Sequence, residues 1–181
     1  SLSSQVSMLR DALHAVVLFV ALAASGGVAR GESVSVAASR DATLIQWHGD
    51  GPLLANALGD VYVGRTNQDG QEAATISIRR GLVYFDLEGV VPSGMKVAGA
   101  TLVMRDVRGM NGESVVTLHR VNQDWSEGTS FFDGGQGAPV TDGDVTWVHT
   151  RYNAADPAAS DFWATPGGDF AATASAAAVV S

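Results

Sequence analysis

The sequence predicts an all-β sandwich, and three observations carry that prediction. From Ser33 onward the chain runs in short apolar segments, several with strict alternation, between turns rich in Gly, Asp, Asn and Pro. Val and Thr, which suit a pleated and half-buried backbone, dominate those segments. No segment after Ser33 has the length and 3.6-residue period of an amphipathic helix. The chain has 181 residues, 46% hydrophobic and 17% charged, enough for one core and one domain.

The elements follow in order. "SVSVAAS" and "DATLIQW" read as two strands, the first with Val34 and Val36 alternating against serines. "GDGPLLANALGD" reads as a loop with a small apolar patch, "VYVGRT" as a strand and "NQDGQEAA" as a polar turn. In "RRGLVYFDLEG" a strand over Leu82–Leu87 turns Val83, Phe85 and Leu87 to the core and Tyr84 to the other face. Asp86 then caps the turn that Pro92 and Gly94 complete. "KVAGATLVMRDV" and "SVVTLHRV" resume the alternation. With the preceding segment they form three consecutive antiparallel strands joined by short loops.

Beyond Val121 only Val145–Thr150 is strand-like, and the long loops around it carry Trp125, Trp147, Trp163, Phe131, Phe132, Tyr152 and Phe162. The last residues, "AATASAAAVVS", carry no clear strand signal.

The N-terminus has a different texture. Arg10 precedes an apolar run from Ala12 to Ala24, broken by His14 and followed by small residues. That run is short for a bilayer span, and its order of parts is that of a secretory signal peptide. Residues 1–31 are therefore expected to be a signal helix, cleaved after Ala29 or Gly31, with a buried N-terminal helix as the alternative. Cleavage takes Arg10, Arg30 and Asp11 from 11 basic and 19 acidic residues, leaving 9 and 18, a net charge of −9. The expected mature protein, residues 32–181, is acidic and lies outside the cell or on its surface.

Charge and composition exclude several functions. A chain of net charge −8 has nothing to neutralise a row of phosphates, so nucleic acid is not an expected partner. Without cysteine there is no disulfide framework, thiolate metal site or cysteine nucleophile. The histidines His14, His48, His119 and His149 lie far apart, without zinc-ligand spacing, and no Gly-x-Ser-x-Gly elbow is present.

"RRGLVYFDLEGVVPSGMKVAGATLVM" resembles the Arg-x-Leu-x-x-Phe-Asp-Leu, Pro-x-Gly, Val-x-x-Ala-x-Leu pattern of DNRLRE-type domains. These are related to the disaggregatase-related repeat and to an alginate-associated carbohydrate-binding module family. "GDVYVGRTN", "HRVNQDWSEGTS", "GGQGAPVTDGDVTWVH" and "FWATPGGDF" resemble further parts of the same domains, so the resemblance spans about Ser33 to Ala174. The hexapeptide that names the family is absent. The resemblance implies a jelly-roll-like antiparallel β-sandwich in an exported bacterial protein, a non-catalytic module beside the other domains of a longer parent. It also implies closing strands after "GGDFAATASA", so the chain is expected to be truncated at its C-terminus.

Three kinds of chemistry deserve candidates. Polysaccharide binding needs aromatic faces and planar polar groups, and the platforms are Trp47, Trp125, Trp147, Trp163 and Tyr152. Trp125 and Trp147 are assigned to the interior, leaving Trp163 and Tyr152 as ligand candidates. Arg65, Arg79, Arg80 and Arg151 are the candidate patch for an anionic polymer. Arg79 and Arg80, just ahead of a strand, otherwise face solvent or pair with a carboxylate. A structural calcium ion is the second possibility, held by Asp133, Asp142 and Asp144 in irregular, acid-rich backbone. The third is glycoside hydrolysis by loop acids, Asp124 with Glu127 or Asp142 with Asp144, whose spacing does not separate them from ordinary turn residues. The expected function is non-catalytic polysaccharide binding. The rivals are a structural surface module without a sugar ligand and a polysaccharide-degrading enzyme.

Overall fold

A computed structural model describes residues 3–8, 17–24, 32–46, 53–66, 77–105 and 113–180. In chain order its strands are β1 (Ser3–Met8), β2 (Val17–Ala24), β3 (Glu32–Ala37), β4 (Arg40–Ile45), β5 (Leu54–Asn56), β6 (Gly64–Arg65) and β7 (Ile78–Tyr84). They continue as β8 (Met95–Met104), β9 (Ser114–Leu118), β10 (Ala138–Pro139), β11 (His149–Arg151), β12 (Asp161–Phe162) and β13 (Ala176–Val180). One 3-10 turn, Pro157–Ala159, is the only helical element among the described residues. The protein is all-β with largely antiparallel sheets, the sandwich-like class expected from its alternation.

The chain divides into two units. The first comprises Ser1–Ser39, Val83–Leu118 and Ala174–Ser181. It contains a four-stranded sheet in the order β1-β8-β2-β3 and the antiparallel pair β13-β9. Within the sheet β1 runs parallel to β8, the exception to the antiparallel pattern among the described pairs. The second comprises Arg40–Leu82 and His119–Thr173. It contains the sheet β10-β5-β4-β7-β6, to which β7 contributes most of its length, and the short pair β11-β12.

Several expectations change. The signal helix is not seen; Val17–Ala24 is instead strand β2, antiparallel to both β3 and β8, with Val20 2% exposed. Its run of Val, Leu and Phe suits a strand as well as a helix, and pairing on both sides decides the matter. Residues 9–16 and 25–31, which carry the basic end and the expected cleavage positions, lie outside the described residues.

The three strands expected to pair in succession lie in different sheets: β7 beside β4 and β6, β8 between β1 and β2, and β9 against β13. The last of these partners is the Ala-Val tail that carried no clear signal. Its residues Ala176–Val180 pair with Leu118–Ser114.

β7 also begins four residues earlier than expected and ends at Tyr84. Leu82 is therefore the buried apolar residue of this stretch, while Val83 and Phe85 are half-buried and Leu87 is exposed. Tyr84 is exposed, and Asp86 accepts the backbone N–H of Glu88, as its turn-capping assignment requires.

The core of the second unit is built from Ala42 and Leu44 of β4, Leu82 of β7 and the loop residues Trp125, Val145 and Trp163. Along β4, four consecutive residues from Ala42 to Ile45 are buried, so both faces of this strand are covered. The segment expected to be a loop around Leu54 supplies β5, which pairs with β4 and is buried throughout.

Candidate functional site

The long loops after Val121 are held by side chains that bond to backbone, and this divides the candidate residues into structural and available ones. Asp144 is 0% exposed. Its Oδ1 accepts the backbone N–H groups of Thr129 (2.8 Å) and Ser130 (3.1 Å). Its Oδ2 accepts the N–H (2.6 Å) and the hydroxyl (3.0 Å) of Thr141. Gly128 permits the close approach, with φ at +86° and the carboxylate where a side chain would otherwise stand.

Four donors directed at the two oxygens leave Asp144 ill-suited to a cation, because the space in front of each oxygen already holds hydrogen. Asp142 is exposed and accepts the N–H of Ala154 (2.9 Å), and Asp133 is exposed. Among the described residues no three metal-ligating side chains gather into a possible metal site. The calcium trio therefore does not form one cage.

The arginines separate in the same way. Arg79 lies on β7 rather than ahead of a strand, and it is 2% exposed. Its guanidinium donates to the carbonyls of Gly135 (2.5 Å), Gln46 (3.0 Å) and Ile78 (3.2 Å). It organises loops and does not face a ligand. Arg80 donates to the carbonyl of Gly167 (2.6 Å) and lies over the rings of Trp147 (4.9 Å) and Phe170 (5.0 Å). Burial lowers its pKa from the ordinary value. Arg65 and Arg151 are exposed, so only these two of the four patch arginines remain fully on the surface.

Among the aromatics, Trp163 is a correction. It is 4% exposed, belongs to the core, and donates its indole N–H to the carbonyl of Thr146 (3.0 Å). Trp125 is buried and Trp147 packs against the same core, as expected. Trp47 lies outside the described residues. His119, assigned a structural role, contacts the carbonyl of Ala171 through Nδ1 (2.8 Å) and packs edge-on to Phe170.

One exposed aromatic surface among the described residues is the ribbon β11-β12. Its register sets His149 opposite Phe162 and Arg151 opposite Asp161. The neighbour of the buried Trp163 necessarily points the other way, and Phe162 is 48% exposed. Its ring leans on His149 at 4.6 Å, and Tyr152 meets the same imidazole edge-on at 5.3 Å. His149 itself is buried, bonded through Nδ1 to the Thr146 hydroxyl (3.0 Å), and burial holds its pKa below the ordinary value.

Polar residues accompany the ribbon and the segment 123–124. Gln123 donates to the Phe162 carbonyl (3.0 Å), and Asp161 and Arg151 are exposed. Asp124 pairs with Arg40 at 3.0 Å. The hydrogen bond from Arg40 holds the Asp124 carboxyl below its usual range, helped by the Trp125 N–H and by the charges of Arg40 and Arg151. Arg40 in turn donates to the Trp125 carbonyl and lies 5.1 Å over the Trp125 ring.

The family models, the curated proteins and the solved structures contain no match to this chain. In the loops after Val121 the structure brings Tyr152 and Phe162 together on the His149 imidazole, while Arg151 stands across the ribbon from Asp161. Alternation in "DFW" could have revealed Phe162, had the buried partner been known to be Trp163.

Proposed function

We propose that this chain is an exported, non-catalytic β-module that binds polysaccharide through the Phe162 face. The observation that carries the reading is the Phe162 ring, half-exposed on a strand and packed on buried His149, whose imidazole Tyr152 also meets edge-on. A flat, half-exposed aromatic ring matches the face of a pyranose, which presents C–H groups there and hydroxyls on its rim.

The non-catalytic assignment is supported by how the loop acids are engaged. Glu127 accepts the N–H of Asp41 (2.8 Å), Asp142 that of Ala154, and Asp144 four donors. Asp124, ion-paired and with a lowered pKa, is the opposite of a general acid.

Export rests on the order of basic, apolar and small residues before Gly31. It carries a structural consequence, because both neighbours of β8 in its sheet, β1 and β2, come from that segment. N-terminal sequencing of secreted material tests it, and a mature chain retaining Leu18 overturns it.

Sugar binding is tested by affinity electrophoresis of the chain through a panel of polysaccharides. At least one polymer should retard the protein, and Phe162→Ala should weaken that binding about tenfold, equivalent to about 1.4 kcal/mol. Retardation by none, or retardation unchanged in Phe162→Ala, removes the reading. It leaves the rival of a structural surface module, in which Phe162 merely covers His149.

A further inference from the structure

We infer that Thr146 is the positioning residue of the Phe162 face: its hydroxyl holds the His149 imidazole in one orientation and one tautomer, and the aromatic rings pack on that imidazole. This deepens the binding role proposed above and rests on it. The deciding feature is the hydrogen bonding at a single oxygen atom.

Thr146 is 0% exposed and opens the turn that leads into β11. Its backbone N–H donates to the His149 carbonyl (2.9 Å), and its carbonyl accepts the Trp163 indole N–H (3.0 Å). The side chain closes the same turn, as Ser and Thr do where they bond to nearby backbone amides. Its Oγ1 accepts the N–H of Val148 (3.2 Å) and the N–H of His149 (3.0 Å). The same oxygen lies 3.0 Å from Nδ1 of His149.

A hydroxyl has two lone pairs and one proton. The two backbone N–H groups occupy both lone pairs, so the bond to His149 uses the hydroxyl proton, with Nδ1 accepting. Nδ1 therefore carries no proton, and the neutral imidazole keeps its proton on Nε2. An Nδ1–H, in the other tautomer or in the imidazolium, would meet an oxygen with no lone pair left and be stranded in a buried site.

Both rings pack on the imidazole fixed in this way. Phe162, opposite His149 in register, lies at 4.6 Å with the ring planes 51° apart, and Tyr152 meets it at 5.3 Å and 61°. Thr146 and His149 are buried, so the hydroxyl acts on a sugar through the imidazole and then the rings.

The bond from Thr146 exists only in the neutral imidazole, so it adds to burial in holding the His149 pKa below 6.5. The ionisable groups on the segments around the ring are Asp144, Arg151, Tyr152, Asp161 and Asp124. Asp144 is taken up by Thr129, Ser130 and Thr141, and Asp124 by Arg40. Among the described residues none of these groups hydrogen-bonds to the imidazole, which leaves the Thr146 hydroxyl as its polar anchor.

The experiment reads the tautomer and the binding separately. Two-bond proton–nitrogen NMR spectra of the isotope-labelled intact chain, with His149→Gln assigning the signal, should show an unprotonated Nδ1 and a protonated Nε2 that titrate below pH 6.5. Affinity electrophoresis in gels holding hydroxyethylcellulose, galactomannan, xylan or polygalacturonate measures binding. Thr146→Val, which replaces the hydroxyl by a methyl, should weaken retardation about fivefold, the worth of one neutral hydrogen bond. It should also mix the two tautomers and raise the His149 midpoint towards 6.5. Thr146→Ser, which restores the hydroxyl, should recover most of both effects.

An Nδ1–H signature or a tautomer mixture in the parent chain overturns the inference, whether or not any polymer binds. Equal retardation of Thr146→Val and the parent overturns it while leaving polysaccharide binding intact. Retardation of the parent by no polymer removes the binding role and this inference with it. Urea midpoints show which variants fold; if Thr146→Val does not, the parent spectrum and the single tautomer expected of Thr146→Ser decide.

Discussion

Replacing Asp144 with alanine should cost about 3–5 kcal/mol, a third or more of the stability of a typical domain. The side chain is wholly buried and accepts the N–H groups of Thr129, Ser130 and Thr141 and the hydroxyl of Thr141. Hydrogen bonds to a charged acceptor are worth about 1.5–3 kcal/mol each, and a buried donor left without an acceptor costs about 1–3 kcal/mol. These contributions do not simply add. Thr129 and Thr141 are exposed residues whose freed groups water can reach, whereas Ser130 is buried and its N–H is stranded.

Asp144→Asn keeps one acceptor oxygen but turns an NH2 group towards N–H donors, so it should fall at about 2–3 kcal/mol. The neighbouring Asp142→Ala is the control. Asp142 is exposed and accepts one N–H, so its loss should stay within about 1 kcal/mol. Urea unfolding followed by tryptophan fluorescence gives all three values, with equal m-values required before midpoints are compared. An Asp144→Ala loss below about 1 kcal/mol, or one equal to that of Asp142→Ala, would refute the assignment of this carboxylate as the organiser of the 128–144 loops.

Three further outcomes follow from the same geometry. Arg79→Met should lose about 2–4 kcal/mol in urea, and Arg79→Lys should recover less than half of it, because an ammonium lacks the fork that reaches Gly135 and Gln46 together. His149, with its folded pKa held below the ordinary 6.5, contributes a stability that is complete above that value. As pH falls below it, the unfolded chain takes up the proton first, and stability drops until the depressed native pKa is passed. Urea midpoints at pH 8, 6.5 and 5 should show this slope, and His149→Gln should flatten it. Removal of divalent cations with EDTA should leave the melting temperature unchanged, since the oxygens of Asp144 face hydrogen-bond donors; a fall of several degrees that calcium restores would contradict that geometry.

Part of the candidate site was legible in the sequence. Tyr152, a candidate for its aromatic chemistry in a loop, meets the same His149 imidazole as Phe162, whereas Arg151 pairs in register with Asp161. Trp163 was misassigned because an aromatic pair in a strand divides between inside and outside, and the pair alone does not say which member goes where. Trp163 has a carbonyl waiting for its indole N–H inside the core, at Thr146, so the larger ring turns inward and Phe162 faces out. Arg79 and Asp144 were misread in the same manner. A charged side chain in a turn-rich stretch looks solvated until the carbonyls of Gln46 and Gly135, or the amides of Thr129 and Ser130, arrive from distant parts of the chain.

The sequence by itself determined that this is an acidic, cysteine-free, all-β chain, because alternation, β-branched content and turn residues act over a few neighbouring positions. It also determined the turn at Asp86 and the interior assignment of Trp125, whose causes are equally local or follow from size and polarity. Only the tertiary structure decided that β7, β8 and β9 go to different sheets and that the Ala-Val tail is a strand. It alone decided which parity of each strand faces inward and which charges are buried. Pairing and burial depend on partners dozens of residues away, and a one-residue change of register exchanges every inward side chain for its outward neighbour.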